Sequence, residues 1–466
     1  MGQGWTISFI RLSGSIKRPI KLNVLMSLAS LQNLEWIQKR TGLDPAQNVE
    51  SLTFVETTSS TMCMQCRGSR MLCGKAYCPI ISKAELLVKH LPKLAKEEVD
   101  GSSPPGAFVG HVGYPKVYVG PLIPPTKGDT RVLDLPELWL GKSIEEIIDY
   151  RFSLIRGKSL IEIHEASDPS RYLLDLHDLS LSSASVEVDA KFKKKPRMAI
   201  ALSEETQPYG PSAMIQKMQV APSTGERRIE NVYYDHDLLA SGGMVELYRD
   251  GLEVSRIQRV LSLGMLGLQP QRKVVPTRWS ITAVDDTLSK HLLASVRHYP
   301  PIDKYQVYRY EYLDNAYAAI LSPRNWAFEW IEAWFPGTAW NETGSTPALM
   351  GDHEPFEGRT TYASVGGCYY STRLAVAEAL HRAQRQASAL VLREIRPGYI
   401  LPVGVWNVRE AVRACFRTKP FTFDTFQQAL QFSCMQLKIP PRVWIMNSAL
   451  IREEMFQRRL NQYFAN

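Results

Sequence analysis

Four of the seven cysteines have the types and the spacing of a metal site. Cys63, Cys66, Cys73 and Cys78 form a C-x2-C-x6-C-x4-C array. Two thiolates separated by two residues can bind one ion from a single turn, and four sulfur ligands give Zn²⁺ a closed tetrahedral site that serves structure rather than catalysis. The sequence therefore predicts a four-cysteine, zinc-finger-like module over residues 61–80.

Two alternatives to zinc are open for these cysteines. Cys78 precedes Pro79, as a ligand does in bacterial iron–sulfur motifs, although the intervals differ from those of common ferredoxins. The other alternative is four buried thiols or two disulfides. Arg67, Arg70 and Lys75 lie between the ligands, so they either present positive charge to nucleic acid or are solvated surface residues.

The carboxyl-terminal residues carry a second pattern. Gln457, Leu460, Tyr463 and Phe464 form Q-x-x-L-x-x-Y-F, the pattern of peptides that bind the DNA sliding clamp. A short helical turn brings the leucine and the two aromatic rings to one side as an apolar plug, while the glutamine amide satisfies backbone groups beside the pocket. The alternative is a last amphipathic turn packed on the protein's own core, because helical spacing gives the same pattern.

Two acidic groups contain the ligand types that divalent cations prefer. The first follows residues 278–284, which we predict as a buried strand, and paired carboxylates at a strand end either hold a metal or cap the next helix. The second lies on a segment punctuated by Gly and Pro. If the two groups converge, they predict a Mg²⁺ or Mn²⁺ phosphodiesterase centre. Its members are Asp285, Asp286, Asp352, His353, Glu354 and Glu357.

The densest basic cluster contains Lys193, Lys194 and Lys195. It follows residues 185–190, whose alternating pattern predicts a strand. The cluster either lies along the phosphates of a nucleic acid or forms a basic edge strand that protects against aggregation.

A second basic candidate lies further along the chain. Gly366 and Gly367 open a predicted helix over residues 374–393, whose first amides either receive a phosphate or form a close packing turn. At helical intervals four arginines share one side, either as a track for a DNA backbone or as a solvated face with i, i+4 pairing to Glu378. These arginines are Arg382, Arg385, Arg393 and Arg396.

The elements around these residues predict an α+β or α/β protein with a large mixed central body. Residues 101–130 have the Val, Tyr, Gly and Pro pattern of short strands and turns, and Ser143 with Glu146 predicts a capping box. We divide the chain into an N-terminal segment with an amphipathic helix (1–60), the cysteine module (61–80), two parts of the central body (81–225 and 226–450) and a flexible clamp-binding tail (451–466). The internal boundary follows the Pro, Gly and Ser content of residues 206–225.

Composition limits the class of protein. The chain has 466 residues, of which 44% are hydrophobic and 22% charged, which excludes a disordered, collagenous or disulfide-scaffold protein. No apolar stretch approaches the roughly 20 residues that span a bilayer, and no signal peptide is evident, so we expect a cytoplasmic protein without a membrane partner. The net charge of +8 favours polyanionic partners.

Five sequence segments between the cysteine module and the tail are distinctive: GSSPP (101–105), VGHVGYPKVYVGP (109–121), PELWLGKS (136–143), PTRWSITAVDDT (276–287) and GGCYYSTRLA (366–375). With the cysteine module and the tail, they resemble the archaeal Nre (NreA-type) DNA repair proteins over nearly the whole chain after about residue 50. The resemblance implies an archaeal protein that acts on DNA damage, is tied to the sliding clamp PCNA through its C-terminal motif, and carries a zinc-finger-like module.

The resemblance does not imply a reaction, so three functions stay open. The first is a DNA-binding repair factor recruited by the clamp. The second is a metal-dependent nuclease that uses the acidic groups. The third is a repair scaffold that does not contact DNA.

Overall fold

Strands within the described residues form two six-stranded sheets and one two-stranded pair. The computed structural model describes residues 52–55, 72, 96–201, 210–338, 340–341, 345–399 and 402–456, with only the backbone of 52–55, 198–201 and 456. In chain order the strands are β1 (Leu52–Val55), β2 (Glu98–Ser103), β3 (Ala107–Val109), β4 (Lys116–Ile123), β5 (Ile155–Glu162), β6 (Val186–Phe192), β7 (Met198–Ala201), β8 (Ser212–Val220), β9 (Tyr305–Tyr312), β10 (Asn315–Ser322), β11 (Ala327–Trp334), β12 (Ala348–Glu354), β13 (Ser388–Ile395) and β14 (Phe421–Phe423). The pair joins β1 to β7 in parallel.

The first sheet has the strand order β2-β6-β8-β5-β4-β3. All its neighbours are antiparallel except β5 and β8. Residues of β6 alternate strictly between buried and exposed, which is the pattern of a sheet with one covered and one solvated face.

The second sheet has the strand order β12-β11-β13-β10-β9-β14, and its only parallel neighbours are β11 and β13. Every residue of β10 and of β13 is buried. Such continuous burial is typical of strands that are covered on both faces.

Helices cover both faces of the second sheet. In chain order the helices of the described residues are α1 (Ile144–Phe152), α2 (Arg171–Leu181), α3 (Arg227–Tyr234), α4 (Ala240–Arg249), α5 (Val254–Ser262), α6 (Thr277–Val296), α7 (Gly367–Ala383), α8 (Trp406–Arg417), α9 (Phe426–Cys434), α10 (Pro441–Asn447) and α11 (Ala449–Phe456). On one face Tyr317 and Phe328 join a core that contains α6, α7 and α8. On the other face Ile320 and Ile331 pack with α9 to α11.

Several sequence predictions are confirmed. The described residues form a mixed α and β fold, and residues 98–123 contain three strands. Ser143 caps α1, because its hydroxyl accepts from the Glu146 amide and the Glu146 carboxylate accepts from the Ser143 amide. The alternating segment after Ser185 is β6.

The predicted strand over residues 278–284 is wrong, because these residues belong to the 20-residue helix α6. Trp279, Ile281 and Thr282 favour strands locally, but Val284, Leu288 and Leu292 continue the apolar pattern at helical intervals and are buried. Packing of this stripe against α7 outweighs the local preference.

The predicted helix over residues 374–393 is correct only in its first half. Helix α7 begins at Gly367, where Gly366 adopts φ 65°, and ends at Ala383, where Gln384 takes the left-handed conformation (φ 51°). Residues 388–395 form the buried strand β13. Two other segments are strands that the sequence did not predict. Strand β12 contains Asp352, His353 and Glu354, and residues 212–220, within the predicted boundary at 206–225, form β8.

Candidate nucleic-acid interface

Asp285 is a buried structural carboxylate. It lies within α6, where it accepts hydrogen bonds from Arg409 Nη1 at 3.0 and 3.2 Å and from Gln258 Nε2 at 3.2 Å. Its side chain and that of Arg409 are almost completely buried. Burial raises the pKa of Asp285 to about 6, although the Arg409 guanidinium acts in the opposite direction. The ion pair therefore joins α6 to α8 inside the core.

Asp286 and Glu354 share one arginine. Arg373 on α7 donates from Nη1 to Glu354 Oε2 at 2.8 Å and from Nη2 to Asp286 Oδ1. Glu354 is buried and also accepts from Trp326 Nε1 and Tyr369 Oη, each at 3.1 Å. The guanidinium thus lies between two of the carboxylates predicted from the sequence to bind a divalent cation.

Asp352 is also bound within the fold. Arg359 Nη2 donates to it at 2.9 Å, and the amides of Ser364 and His353 donate at 2.7 and 2.9 Å. Burial acts to raise the pKa of Asp352, but these hydrogen bonds outweigh it and lower the pKa to about 2. His353 and Glu357 are exposed beside this network.

These arginine pairs give no support to the predicted phosphodiesterase centre. Among the residues that the structure describes, no group of three or more His, Cys, Asp or Glu side chains is placed to hold a metal ion. The Asp285 carboxylate pairs with Arg409 on α8, whereas those of Asp286 and Glu354 both pair with Arg373 on α7. The sequence showed the carboxylates but not the arginines that neutralise them.

The predicted arginine stripe is also wrong. Arg382 lies exposed in the last turn of α7 and Arg385 lies beyond its end. Arg393 is a buried residue of β13 that donates to Asn315 at 2.9 Å and to Glu332 at 3.1 Å. Glu378 accepts from Arg413 at 2.7 Å rather than pairing with Arg382. Since α7 ends at Ala383 and Arg393 lies on the buried strand β13, the four arginines do not share one surface.

The lysine turn, residues 193–197, is a basic feature that the described part of the fold presents to solvent. Lys193, Lys194, Lys195 and Arg197 are exposed, whereas Pro196 and the preceding Phe192 are buried. The Lys193 amide donates to Met214 O at 2.9 Å, and Arg197 and Ser212 exchange backbone hydrogen bonds at 3.0 and 2.9 Å. The turn is therefore fixed on β8 while its cationic side chains face outward.

Lys217 on β8 extends this basic surface, because its register partner on β6 is Lys191. Lys191 pairs with Glu98 at 2.7 Å. None of the cations in the lysine turn, nor Lys217, forms an ion pair with a described residue. Reasoning from sequence missed Lys217, since β8 falls in a segment interpreted as a boundary. Because β6 lies between β2 and β8, the edge-strand interpretation of this cluster is wrong.

Most other exposed lysines of the first sheet and its neighbours have carboxylate partners. Lys116 lies 3.0 Å from Glu162, and Lys127 lies 2.8 Å from Asp100. Lys142 lies 3.2 Å from Glu146. The lysine turn therefore concentrates positive charge that no carboxylate of the described residues neutralises, which is the property of a surface that attracts phosphates.

Two groups of predicted site residues lie outside the described residues. They are the cysteine module, with Cys63, Cys66, Arg67, Arg70, Cys73, Lys75 and Cys78, and the tail residues Gln457, Leu460, Tyr463 and Phe464. The predicted amphipathic helix at residues 25–38 lies outside them as well. A search of the described helices finds none with the length and apolar character needed to cross a membrane.

Comparison with known proteins places the chain in a family. The family model described as "Archaeal Nre, N-terminal" matches residues 72–341, and "Archaeal Nre, C-terminal" matches residues 354–463. DNA repair protein NreB of Archaeoglobus fulgidus is 42% identical over 393 residues, which cover 84% of this chain and 97% of that protein. DNA repair protein NreA of the same organism is 37% identical over 372 residues, with coverages of 80% and 92%.

A relative from a second organism gives the same result. DNA repair protein NreA of Haloferax volcanii is 35% identical over 342 residues, which cover 71% of this chain and 81% of that protein. No solved structure matches the chain. Both family models and the extensive coverage of these relatives show that the chain belongs to the archaeal Nre family.

Proposed function

We propose that this protein acts in DNA repair by binding DNA and that the sliding clamp recruits it. The relatives that it matches along most of their length are named DNA repair proteins. The observation that carries the DNA-binding part is the lysine turn, whose exposed cations have no carboxylate partner among the described residues. These cations are Lys193, Lys194, Lys195 and Arg197, with Lys217 beside them.

The chemistry of this surface favours contact with the DNA backbone. Lysine ammonium groups neutralise phosphates as point charges and release counterions, which gives affinity without dependence on base sequence. The backbone hydrogen bonds from Lys193 and Arg197 to β8 hold the turn in place, so binding orders only the side chains. We therefore expect the lysine turn to position DNA rather than to read its bases.

Recruitment rests on the C-terminal pattern and on the helix that precedes it. Helix α11 is anchored to the second sheet, since Glu329 on β11 accepts from the amides of Ala449 and Leu450 at 2.8 and 2.9 Å. Leu450 and Ile451 are buried in the core. The Q-x-x-L-x-x-Y-F pattern begins at Gln457, directly after this anchored helix. We propose PCNA as the partner of that pattern.

We further propose that Cys63, Cys66, Cys73 and Cys78 bind one Zn²⁺. Four thiolate ligands at this spacing leave no open coordination position, so the ion would support the local fold rather than a reaction. Arg67, Arg70 and Lys75 between the ligands would supply further positive charge for contacts with phosphates.

The DNA-binding proposal is tested with a triple variant of the lysine turn. Lys193→Gln, Lys194→Gln and Lys195→Gln together remove three charges that lie at solvent-exposed positions and pair with no described carboxylate. At low salt, fluorescence anisotropy with a labelled duplex should show at least roughly tenfold weaker binding, because each lost phosphate contact removes a counterion-release contribution.

A matched control removes the same net charge from lysines that have partners. Lys116→Gln, Lys127→Gln and Lys142→Gln break surface ion pairs, at positions where Glu162, Asp100 and Glu146 supply carboxylates. We expect this control to bind duplex DNA within about twofold of wild type. Most exposed ion pairs contribute little to stability, so the three substitutions should leave the fold unchanged. Equal losses in the two triple variants would show that only net charge matters and would contradict a binding site at the lysine turn.

A further inference from the structure

Two exposed aromatic rings from distant parts of the sequence form a pair on the surface. Trp279 is 44% exposed and Tyr114 is 42% exposed, and their ring centroids lie 5.0 Å apart at an interplanar angle of 57°. Val112, in the same loop as Tyr114, is 72% exposed. The pair therefore presents ring surface to solvent instead of to the core.

The backbone on both sides of the aromatic pair is fixed. Trp279 lies in the first turn of α6, whose Thr277 hydroxyl accepts a hydrogen bond from the Val109 amide of β3 at 2.9 Å. Tyr114 lies in the loop between β3 and β4, where Gly113 has φ 89° and its carbonyl accepts from the Lys116 amide at 3.0 Å. Binding at this surface would need little rearrangement of the chain.

The charges around the aromatic pair favour a polyanion. Arg278 is exposed next to Trp279 and forms no ion pair with a described residue. The amino-terminal end of α6, at which both residues lie, carries the positive end of the helix dipole. Glu162 is nearby, but it already pairs with Lys116 at 3.0 Å. An aromatic pair flanked by an exposed arginine has the composition of surfaces that bind single-stranded nucleic acid.

We propose that unpaired bases of single-stranded DNA stack on Trp279 and Tyr114 while Arg278 contacts the adjoining phosphate. This proposal rests on the proposed DNA-binding function and specifies its ligand as unpaired DNA. Stacking is tolerant of sequence because every base has an aromatic face. The aromatic pair gives the protein a higher affinity for regions where a duplex is open.

The aromatic pair and the lysine turn are separate surfaces. The lysine turn is fixed to Ser212, the register partner of Arg156 at the start of β5, whereas Lys116 near Tyr114 is the partner of Glu162 at the end of β5. Six residues of a strand span roughly 20 Å. Substitutions at one surface therefore leave the other intact.

The test measures affinity for a fluorescent oligo(dT) strand and for a duplex of the same length. Trp279→Ala should weaken binding of the strand roughly 5- to 100-fold, as expected for loss of stacking with one base, and change duplex binding less than about twofold. Trp279→Phe should retain most of the affinity for the strand. In wild type, added oligo(dT) should quench tryptophan emission, and this quenching should largely disappear in Trp279→Phe.

Trp340→Ala is the matched control, because Trp340 is also about half exposed, at 50%, and also lies beside another aromatic ring. The centroids of the Trp340 and Trp334 rings are 6.2 Å apart. It should bind oligo(dT) like wild type. Unchanged strand affinity in Trp279→Ala, or an equal loss in Trp340→Ala, would overturn the stacking proposal.

The two proposals fail separately. If the lysine-turn variant loses duplex affinity while Trp279→Ala keeps strand affinity, only stacking is refuted. If Trp279→Ala loses strand affinity while the lysine-turn variant binds duplex normally, the stacking surface stands and the lysine turn is refuted as a DNA contact. Loss of PCNA capture in Trp279→Ala with normal oligo(dT) affinity would identify a protein-binding surface and overturn stacking.

Discussion

Replacing Asp285 by Asn should change the pH dependence of stability in a defined direction. The carboxylate is buried and pairs with Arg409, and its pKa in the folded protein is raised by burial to about 6 from an ordinary value of 3.8. A raised folded-state pKa means that the folded protein binds this proton more tightly than the unfolded chain does. The resulting stabilisation is fully present below about pH 4 and is lost as the pH rises through about 6.

The size of the change in unfolding free energy follows from the pKa shift of Asp285. About two pKa units at about 1.4 kcal/mol per unit give a change of roughly 3 kcal/mol. The free energy of unfolding of wild type minus that of Asp285→Asn should therefore decrease by roughly 3 kcal/mol between pH 4 and pH 7. Taking the difference between the two proteins removes the contribution of every other titrating group that the substitution leaves unaltered.

Urea unfolding monitored by tryptophan fluorescence, repeated at several pH values without DNA, measures this difference. Asp352→Asn is a control with the opposite shift, because hydrogen bonds lower the pKa of Asp352 to about 2. Its stabilisation is lost only as the pH falls below about 4, so its difference from wild type should stay constant from pH 5 to pH 7.

One pattern of results would refute a structural role for Asp285. If Asp285→Asn matched wild type in stability at every pH and also lost a cleavage of DNA that depends on Mn²⁺, the carboxylate would be reactive. A carboxylate with a structural role gives the reverse result, which is a pH-dependent change in stability.

The remaining predictions concern an arginine, the tail and the cysteines. Arg373→Met leaves the buried Glu354 without its cation and should lower the free energy of unfolding by about 3–5 kcal/mol in urea titrations, whereas a change under 1 kcal/mol would show that the pair is unimportant. Truncation after Phe456 should abolish PCNA capture in a pull-down but leave the circular dichroism spectrum unchanged. The double variant Arg458→Ala plus Arg459→Ala is the control and should still bind PCNA. Undiminished capture by the truncated chain would refute the motif. Elemental analysis should find one zinc per chain in wild type and in the Cys368→Ser control, but none in Cys63→Ser plus Cys66→Ser, and iron in its place would favour a cluster.

Local signals in the sequence predicted local structure well. The capping box of Ser143 and Glu146, the alternation of β6 and the glycine start of α7 each depend on residues close together in the chain. Their physical causes, which are an amide partner, a half-buried sheet and a tight turn, act over a few residues. A single sequence contains that information.

Errors arose where distant residues decide the outcome. Asp285 and Arg409 are 124 positions apart, and nothing in the sequence around Asp285 indicates that its charge is taken up inside the core. Residues 278–284 are rich in strand-forming side chains, yet the stripe of Val284, Leu288 and Leu292 packs them as a helix. The contact between Tyr114 and Trp279 also joins separate segments, although each residue lies in a segment that resembles the Nre family.

The salt dependence of duplex binding shows whether the lysine turn contacts the DNA backbone. Dissociation constants of wild type and of the triple variant at Lys193, Lys194 and Lys195 are measured over a range of KCl concentrations and plotted on logarithmic axes. If the lysine turn contacts phosphates, the slope of the variant should be shallower by about 2 to 3, close to one counterion for each lysine removed. Two parallel plots would contradict it.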